Sequence, residues 1–266
     1  MIQSAPFLSL IIPAYNESRR LPQTLAAVRA YLEAQPWDWE LLVVDDGSSD
    51  ETVALARASL ADEPRARVIE NPHRGKGYTV RTGMLAARGQ YVLFSDADLA
   101  VPLEEWPKLQ QALEAGCDVA IGSREGAGAQ RIDEPPHRHL MGRVFNLIVR
   151  LLAVGSFQDT QCGFKAFTRE AAHDLFARLQ LYGDNAAAPR GAAVTAFDVE
   201  VLFLAGRRGY RIREVPVIWR YGEETKVDPL RDSWRNFGDV LRVRLNALRG
   251  RYRDVEQRSA SHDAVR

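Results

Sequence analysis

The sequence predicts an α/β fold whose core is a mostly parallel mixed sheet flanked by helices. Short apolar runs of strand length alternate with helical segments through the first half of the chain, which implies parallel strands joined by right-handed crossovers. Two of those runs end at carboxylates. Leu41-Leu42-Val43-Val44 stops at Asp45-Asp46-Gly47-Ser48-Ser49-Asp50, and Tyr91-Val92-Leu93-Phe94 stops at Ser95-Asp96-Ala97-Asp98. Apolar runs without polar alternation suit strands buried on both faces, as in parallel sheets.

Residues 8–12 read as the first strand, and a helix follows over 18–35. Residues 40–44 form the second strand, and 50–61 a helix with Ser48, Ser49 or Asp50 as N-cap. A short third strand spans 66–69. The helix over 75–87 starts with small residues, Gly75 and Gly77. Residues 90–94 form a strand, 103–115 a helix and 118–121 a strand. Beyond Gly122 the rhythm changes. Residues 125–136, rich in Gly, Ala and charge, read as a mobile loop, and 139–154 as an amphipathic helix. Segments 162–168 and 210–219 read as strands completing the sheet. Residues 183–195 form a second loop, long enough to be functional or disordered. A helix follows over 197–207 and a last one over 232–250. The expected division is a catalytic domain over 1–228, a basic amphipathic helix over 229–250 and a disordered tail over 251–266.

The 266 residues carry 35 Lys+Arg against 35 Asp+Glu, so net charge offers no attraction to nucleic acid. Two cysteines, Cys117 and Cys162, fit a reducing compartment rather than a disulfide framework. No secretory leader is visible. Residues 144–154, interrupted by Asn146 and Arg150, fall short of the roughly 20 residues a membrane span needs. The expected location is cytoplasmic, with peripheral attachment to the inner face of the membrane left open.

Ligands of open α/β sheets bind beyond the carboxyl ends of strands. Carboxylates gathered there are costly unless a cation or polar ligand meets them. In an extended segment Asp96 and Asp98 point the same way, a clamp suited to Mg²⁺ or Mn²⁺ carrying phosphate oxygens. The competing reading is a helix cap or turn.

Five motifs, in order, form a set: Ile12-Pro13-Ala14-Tyr15-Asn16-Glu17, Val44-Asp45-Asp46-Gly47-Ser48-Ser49-Asp50, Asn71-Pro72-His73-Arg74-Gly75-Lys76-Gly77, Ser95-Asp96-Ala97-Asp98 and Gly122-Ser123-Arg124. Together they resemble glycosyltransferase family 2. Gln158-Asp159-Thr160-Gln161-Cys162-Gly163-Phe164-Lys165 and Phe197-Asp198-Val199-Glu200 look most like its dolichyl-phosphate β-glucosyltransferase branch, a neighbour of the dolichyl-phosphate mannose synthases. The resemblance covers about residues 6–220 and implies a GT-A fold, a nucleotide-sugar donor, a divalent cation and inversion at the anomeric carbon. It implies that Pro13, Ala14, Tyr15 and Glu17 line the nucleotide pocket, with Asp45, Asp46, Lys76 and Ala97 beside them. Asp96 and Asp98 would hold the metal. Arg124, with Arg138 and Arg143, would meet the acceptor phosphate, and Asp198 would lie near the acceptor. Mannose synthases usually carry Gln where this chain has Ala100, which ranks glucose from UDP-glucose above mannose from GDP-mannose. The expected acceptor is a polyprenyl or dolichyl phosphate.

Bland readings stand beside these. Asp45, Asp46 and Asp50 supply turn and cap chemistry as readily as ligand contacts. Arg124 reads as a surface charge or a ligand contact. Asp198 and Glu200 cannot share a helix face, and Asp198 is the one expected in the site. At the C-terminus, Trp234, Phe237, Val240 or Leu241, Leu245 and Leu248 recur at helical spacing amid seven arginines and two aspartates. Such a helix suits an anionic lipid surface, or else packs on the core or a second subunit. A metal-dependent nucleotidyltransferase, a soluble acceptor and a non-enzymatic nucleotide-sugar binder are the alternatives. A dinucleotide dehydrogenase is disfavoured because no Gly-x-Gly-x-x-Gly follows a strand.

Overall fold

The structure, a computed structural model, describes residues 5–133, 157–183, 197–222 and 229–252, with side chains of the last segment from 237 onward. Its centre is a seven-stranded sheet in the order β3-β2-β1-β4-β7-β5-β8. The strands are β1 (Leu8–Ala14), β2 (Trp39–Asp45), β3 (Ala66–Glu70), β4 (Tyr91–Ser95), β5 (Val119–Ser123), β7 (Phe164–Thr168) and β8 (Ile212–Pro216). Only β7 runs antiparallel, between β4 and β5. The inner strands β1, β2, β4 and β5 are buried along their whole length, which explains their unbroken apolar runs. β3 and β8, at the two edges, are only partly covered.

Helices cover both faces. On one, α1 (Leu21–Glu33) and α4 (Trp106–Glu114) pack Leu25, Val28, Trp106 and Leu109 against Leu10, Ile12, Leu41 and Leu93. On the other, α3 (Lys76–Ala86), α5 (Arg169–Ala177) and α6 (Phe197–Arg207) bring Val80, Met84, Phe176 and Leu202 onto Ile11, Val44, Val92 and Phe94. Side chains from neighbouring strand positions thus enter opposite cores, as the strand period of two requires. α2 (Thr52–Ser59) closes the first edge, and α7 (Pro229–Leu248) adds Val243 to the second core.

Several expectations need correction. Residues 130–132, expected in a mobile loop, form β6 (Gln130–Ile132), paired in parallel with β9 (Ile218–Arg220). The expected strand over 210–219 therefore divides. Pro216, which has no N–H to give the ladder, ends β8, and the chain passes through Val217 to the second sheet. Helix α5 was not expected from the sequence; Thr168 caps it by accepting from the Ala171 N–H. Asp96 and Asp98 do not lie in an extended segment. The chain turns after β4, with Leu99 N–H donating to Asp96 O and Leu99 at φ 48°. The expected helix over 139–154, Arg138, Arg143, the expected loop from 184 onward and the tail from 253 lie outside the described residues.

Candidate active site at the carboxyl rim of the sheet

The parallel strands β1, β2 and β4 deliver their carboxyl ends to one rim. There the loops after β1 and β2 are laced together. Asn16, at φ 52°, donates its N–H to Ser48 Oγ (2.8 Å) and accepts at Oδ1 from Ser49 N–H (2.8 Å). Glu17 N–H donates to Thr52 Oγ1 (2.8 Å). Asp45 accepts from the Ser48 N–H (2.9 Å) and hydroxyl (2.5 Å). Burial opposes ionisation of Asp50, but hydrogen bonds from Thr52 and Ser18 outweigh it and bring its pKa to about 2. Asp45 and Asp50 thus hold turns beside the rim, while the N-cap of α2 falls on Glu51, with no side-chain cap bond, rather than on Ser48, Ser49 or Asp50.

Asp46 is engaged with the next loop. It accepts from the N–H groups of Arg74 (2.8 Å) and Gly75 (2.9 Å) and lies 2.9 Å from His73 Nδ1. The His73 ring stacks on Tyr15, centroids 4.3 Å apart and planes nearly parallel. Asp46 thus sets the loop that opens α3, where Gly75 at φ 90° directs the chain to Lys76.

A line of charged groups follows. Lys76 Nζ lies 2.5 Å from Asp96 Oδ1. Burial works to lower the Lys76 pKa, but Asp96, Asp198 and Asp98 outweigh it and raise it. Asp96 is held from behind, its N–H donating to Gly163 O (3.2 Å). Its buried Oδ1 is the oxygen that meets the Lys76 ammonium. Asp98 accepts from Ala100 N–H (3.1 Å) and lies 4.0 Å from Arg20. Asp98 is solvent-exposed, and desolvation by the groups around it and the charge of Asp96 push its carboxyl upward. Asp198, in the first turn of α6, sits 2.6 Å from Lys165 Nζ. Burial raises its pKa, outweighing the attraction of Lys165 and Lys76. Glu200 points elsewhere, accepting from the N–H groups of Gln180 and Leu181.

Lys165 was missed as a site residue. It is wholly buried on β7 and also donates to Cys162 O (2.5 Å). The signal was present: a lone ammonium in the apolar strand Phe164-Lys165-Ala166-Phe167 must meet a carboxylate inside. Burial pushes the nearby Cys162 thiol up to about 12, which leaves it inert at neutral pH.

At the end of β5, Arg124 grips Asp159 through Nε (2.6 Å), Nη2 (2.9 Å) and its own N–H (3.0 Å). Asp159 is fully buried, yet the charge and hydrogen bonds of Arg124 hold its carboxyl well below the usual range. The Arg124 guanidinium also stands 5.5 Å over Trp219. Pro13, Ala14 and Ala97 are buried rim positions, and Ala97 O accepts from Thr24 Oγ1 (2.6 Å). Among the described residues no three His, Cys, Asp or Glu side chains are grouped to hold a metal, so a cation at Asp96 and Asp98 would need ligand oxygens from elsewhere. Nor is any described helix long and apolar enough to cross a membrane.

The chain is similar to known proteins along most of its length. It is 38% identical to a dolichyl-phosphate beta-glucosyltransferase of Drosophila melanogaster and 35% identical to one of Homo sapiens. Each alignment spans 92% of this chain and 77% of the relative. Its fold matches glucosyl-3-phosphoglycerate synthase of Mycobacterium tuberculosis, solved with Mn²⁺, uridine-diphosphate-glucose and phosphoglyceric acid. That match has a TM-score of 0.61 at 21% identity and covers 89% of this chain and 78% of the other. The profile of Glycosyl transferase family 2 matches residues 9–176. With rim, motifs and relatives in agreement, the chain belongs to glycosyl transferase family 2.

Proposed function

We propose that this glycosyltransferase moves glucose from UDP-glucose, with inversion, to a polyprenyl phosphate such as dolichyl phosphate at the cytoplasmic face of a membrane. The observation that carries the reading is the charged line Asp98–Asp96–Lys76–Asp198–Lys165, in a chain similar over most of its length to dolichyl-phosphate beta-glucosyltransferases.

Asp96 and Asp98 fit a divalent cation, Mg²⁺ or Mn²⁺. Asp96 Oδ1 already meets a cation, the Lys76 ammonium at 2.5 Å, and the charge of Asp96 makes ionised Asp98 costly without a further cation. Bound there, the cation would neutralise charge growing on the departing nucleoside diphosphate. Lys76 would meet the same phosphates. Tyr15, stacked on His73, would present its ring edge and loop to the base, with Pro13, Ala14, Glu17, Asp45, Asp46 and Ala97 shaping the pocket. A lipid phosphate is already an anion, so it needs positioning more than deprotonation. Arg124, fixed by Asp159, would supply that, joined by Arg138 and Arg143. Asp198, held by Lys165, would orient the sugar and acceptor in its ionised form.

The outer face of α7 supports the membrane part of the reading. Leu241, Leu245 and Leu248 are exposed beside the exposed Arg242 and Arg249, a mix that suits an anionic surface. The test is turnover of UDP-glucose and GDP-mannose with Mg²⁺ or Mn²⁺, with and without polyprenyl phosphate. Consumption of UDP-glucose only with the lipid supports the reading. Lipid-independent transfer to a soluble molecule overturns the acceptor, and preference for GDP-mannose overturns the donor.

A further inference from the structure

Helix α7 has a buried face as well as an exposed one. Asp239, Val240, Val243 and Asn246 are enclosed, while Leu241, Leu245 and Leu248 remain 40, 46 and 79% exposed. Two tyrosine–carboxylate hydrogen bonds fasten this C-terminal region to the interior. Tyr252 Oη donates to Glu200 Oε1, and Tyr182 Oη donates to Asp239 Oδ2, each at 2.7 Å. Glu200 also holds the N–H groups of Gln180 (2.7 Å) and Leu181 (3.2 Å), so the segment carrying Tyr182 is fixed to α6. The other oxygen of Asp239 accepts from Arg242, a residue of the exposed side (3.2 Å).

The ring of Tyr182 reaches in the opposite direction, toward the charged line. A methyl group at Gly77 would stand 2.7 Å from Tyr182 Cδ1 and 2.8 Å from Phe197 Cβ, so the three residues are in close contact. The Phe197 ring meets Tyr182 edge-on at 6.3 Å. Gly77 follows Lys76, and Phe197 precedes Asp198. A single stiff side chain therefore spans from the helix with the exposed leucines to the immediate neighbours of Lys76 and Asp198. Close-packed interiors transmit such displacements because they hold no slack.

We infer that Tyr182 is a positioning residue, coupling the seating of α7 on a lipid surface to the setting of Lys76 and Asp198. The inference rests on the membrane reading above. Coupling of this kind is reciprocal: if lipid contact favours the donor-binding arrangement, donor binding favours lipid contact by the same factor.

The full chain is sedimented with vesicles of phosphatidylcholine and phosphatidylglycerol, with and without UDP and Mn²⁺. UDP with Mn²⁺ is expected to raise the wild-type vesicle partition coefficient at least about fivefold, the lower end of ordinary site–site coupling. Tyr182→Phe keeps the ring and loses the hydroxyl; it should still bind vesicles and UDP separately but lose the rise. Asp239→Leu cuts the same bond from α7 and decides the matter if Tyr182→Phe does not fold. Asp239→Asn keeps an acceptor oxygen and should retain the rise. Wild-type sedimentation that is indifferent to UDP overturns the inference alone. Absence of any vesicle binding overturns the membrane reading and the inference with it. A full rise in folded Tyr182→Phe removes Tyr182 from the coupling.

Discussion

Gly163 lies flat against the carboxylate of Asp96: a methyl group in place of its hydrogen would stand 2.0 Å from Asp96 Oδ2 and 2.4 Å from Cγ. No larger residue fits without moving Asp96, and the Asp96 N–H is tied to the Gly163 carbonyl. The antiparallel strand β7 thus contributes to the site through a missing side chain at its entry and through Lys165 within it.

Gly163→Ala should therefore displace the Asp96 carboxylate while leaving the sheet intact. The Mn²⁺-dependent part of UDP affinity should fall at least about tenfold, or 1.4 kcal/mol. Calorimetric titration of UDP with and without Mn²⁺, beside a native circular dichroism spectrum, checks it. Unchanged Mn²⁺-dependent affinity would show that Asp96 does not bear on the cation.

Asp98→Asn separates function from stability. Asp98 has one backbone hydrogen bond, from Ala100, and its ionisation is disfavoured by desolvation among its neighbours and by Asp96. Removing the charge should abolish metal-dependent donor binding and leave the melting temperature equal or higher. Sites that bind ligands commonly hold such destabilising groups. A drop in melting temperature with cation dependence intact would instead mark Asp98 as a structural turn residue.

Lys165→Met tests how Asp198 is held. Burial already lifts the Asp198 pKa, and Lys165 and Lys76 pull it partly back. Removing Lys165 leaves the first effect less opposed, so the Asp198 pKa should rise further. If turnover needs ionised Asp198, the acid limb of kcat/KM against pH should move to higher pH in the variant. At alkaline pH most of the rate should return. A uniform loss at every pH would mean that Lys165 matters to folding rather than to the charge of Asp198.

Much of the fold was legible because burial on both faces removes polar alternation: Leu41 to Val44 reads as a strand without help from its neighbours. The pieces that escaped depend on distant partners. β6 is three residues long and exists through its pairing with β9, some 90 residues on. The turn after β4 hid the relation between Asp96 and Asp98, and the two-residue spacing suggested an extended segment. The position of Asp198 on its helix was legible from its offset to Glu200, but its partner Lys165 lies on β7, 33 positions earlier. Arg124 and Asp159 are 35 positions apart, and no local pattern links them. The dual use of Asp46 was likewise invisible, since its loop partners His73, Arg74 and Gly75 come from the next crossover.

The Arg124–Asp159 pair gives a stability prediction with a definite sign. The folded-state pKa of Asp159 is depressed below its unfolded value. Its contribution is therefore complete above the unfolded carboxylate pKa, near 4, and is lost as pH falls through the folded value. Asp159→Ala leaves Arg124 without its buried partner and should cost roughly 3–5 kcal/mol at neutral pH. Denaturant unfolding of both proteins at neutral pH and at pH 3 checks it. The gap between them should narrow in acid, and a gap independent of pH would overturn the ion-pair account.

Removing the chain from α7 onward is a poor test of lipid contact, because Val240, Val243 and Tyr252 are buried and their loss would open the core. The stripe expected from spacing, with Val240 or Leu241 as alternatives, divides in the structure: Val240 faces inward and Leu241, Leu245 and Leu248 face out. Replacing those three leucines by serine alters only exposed positions, so the melting temperature should stay close to wild type. Each leucine carries about 1.5–3 kcal/mol of transfer free energy when fully buried, and partial insertion should realise part of it. Sedimentation with anionic vesicles should therefore fall by at least about tenfold. Turnover of UDP-glucose should fall with the acceptor in vesicles and persist with the acceptor in detergent. Unchanged sedimentation of the triple variant would transfer the lipid contact to other surfaces and leave this face to a protein partner.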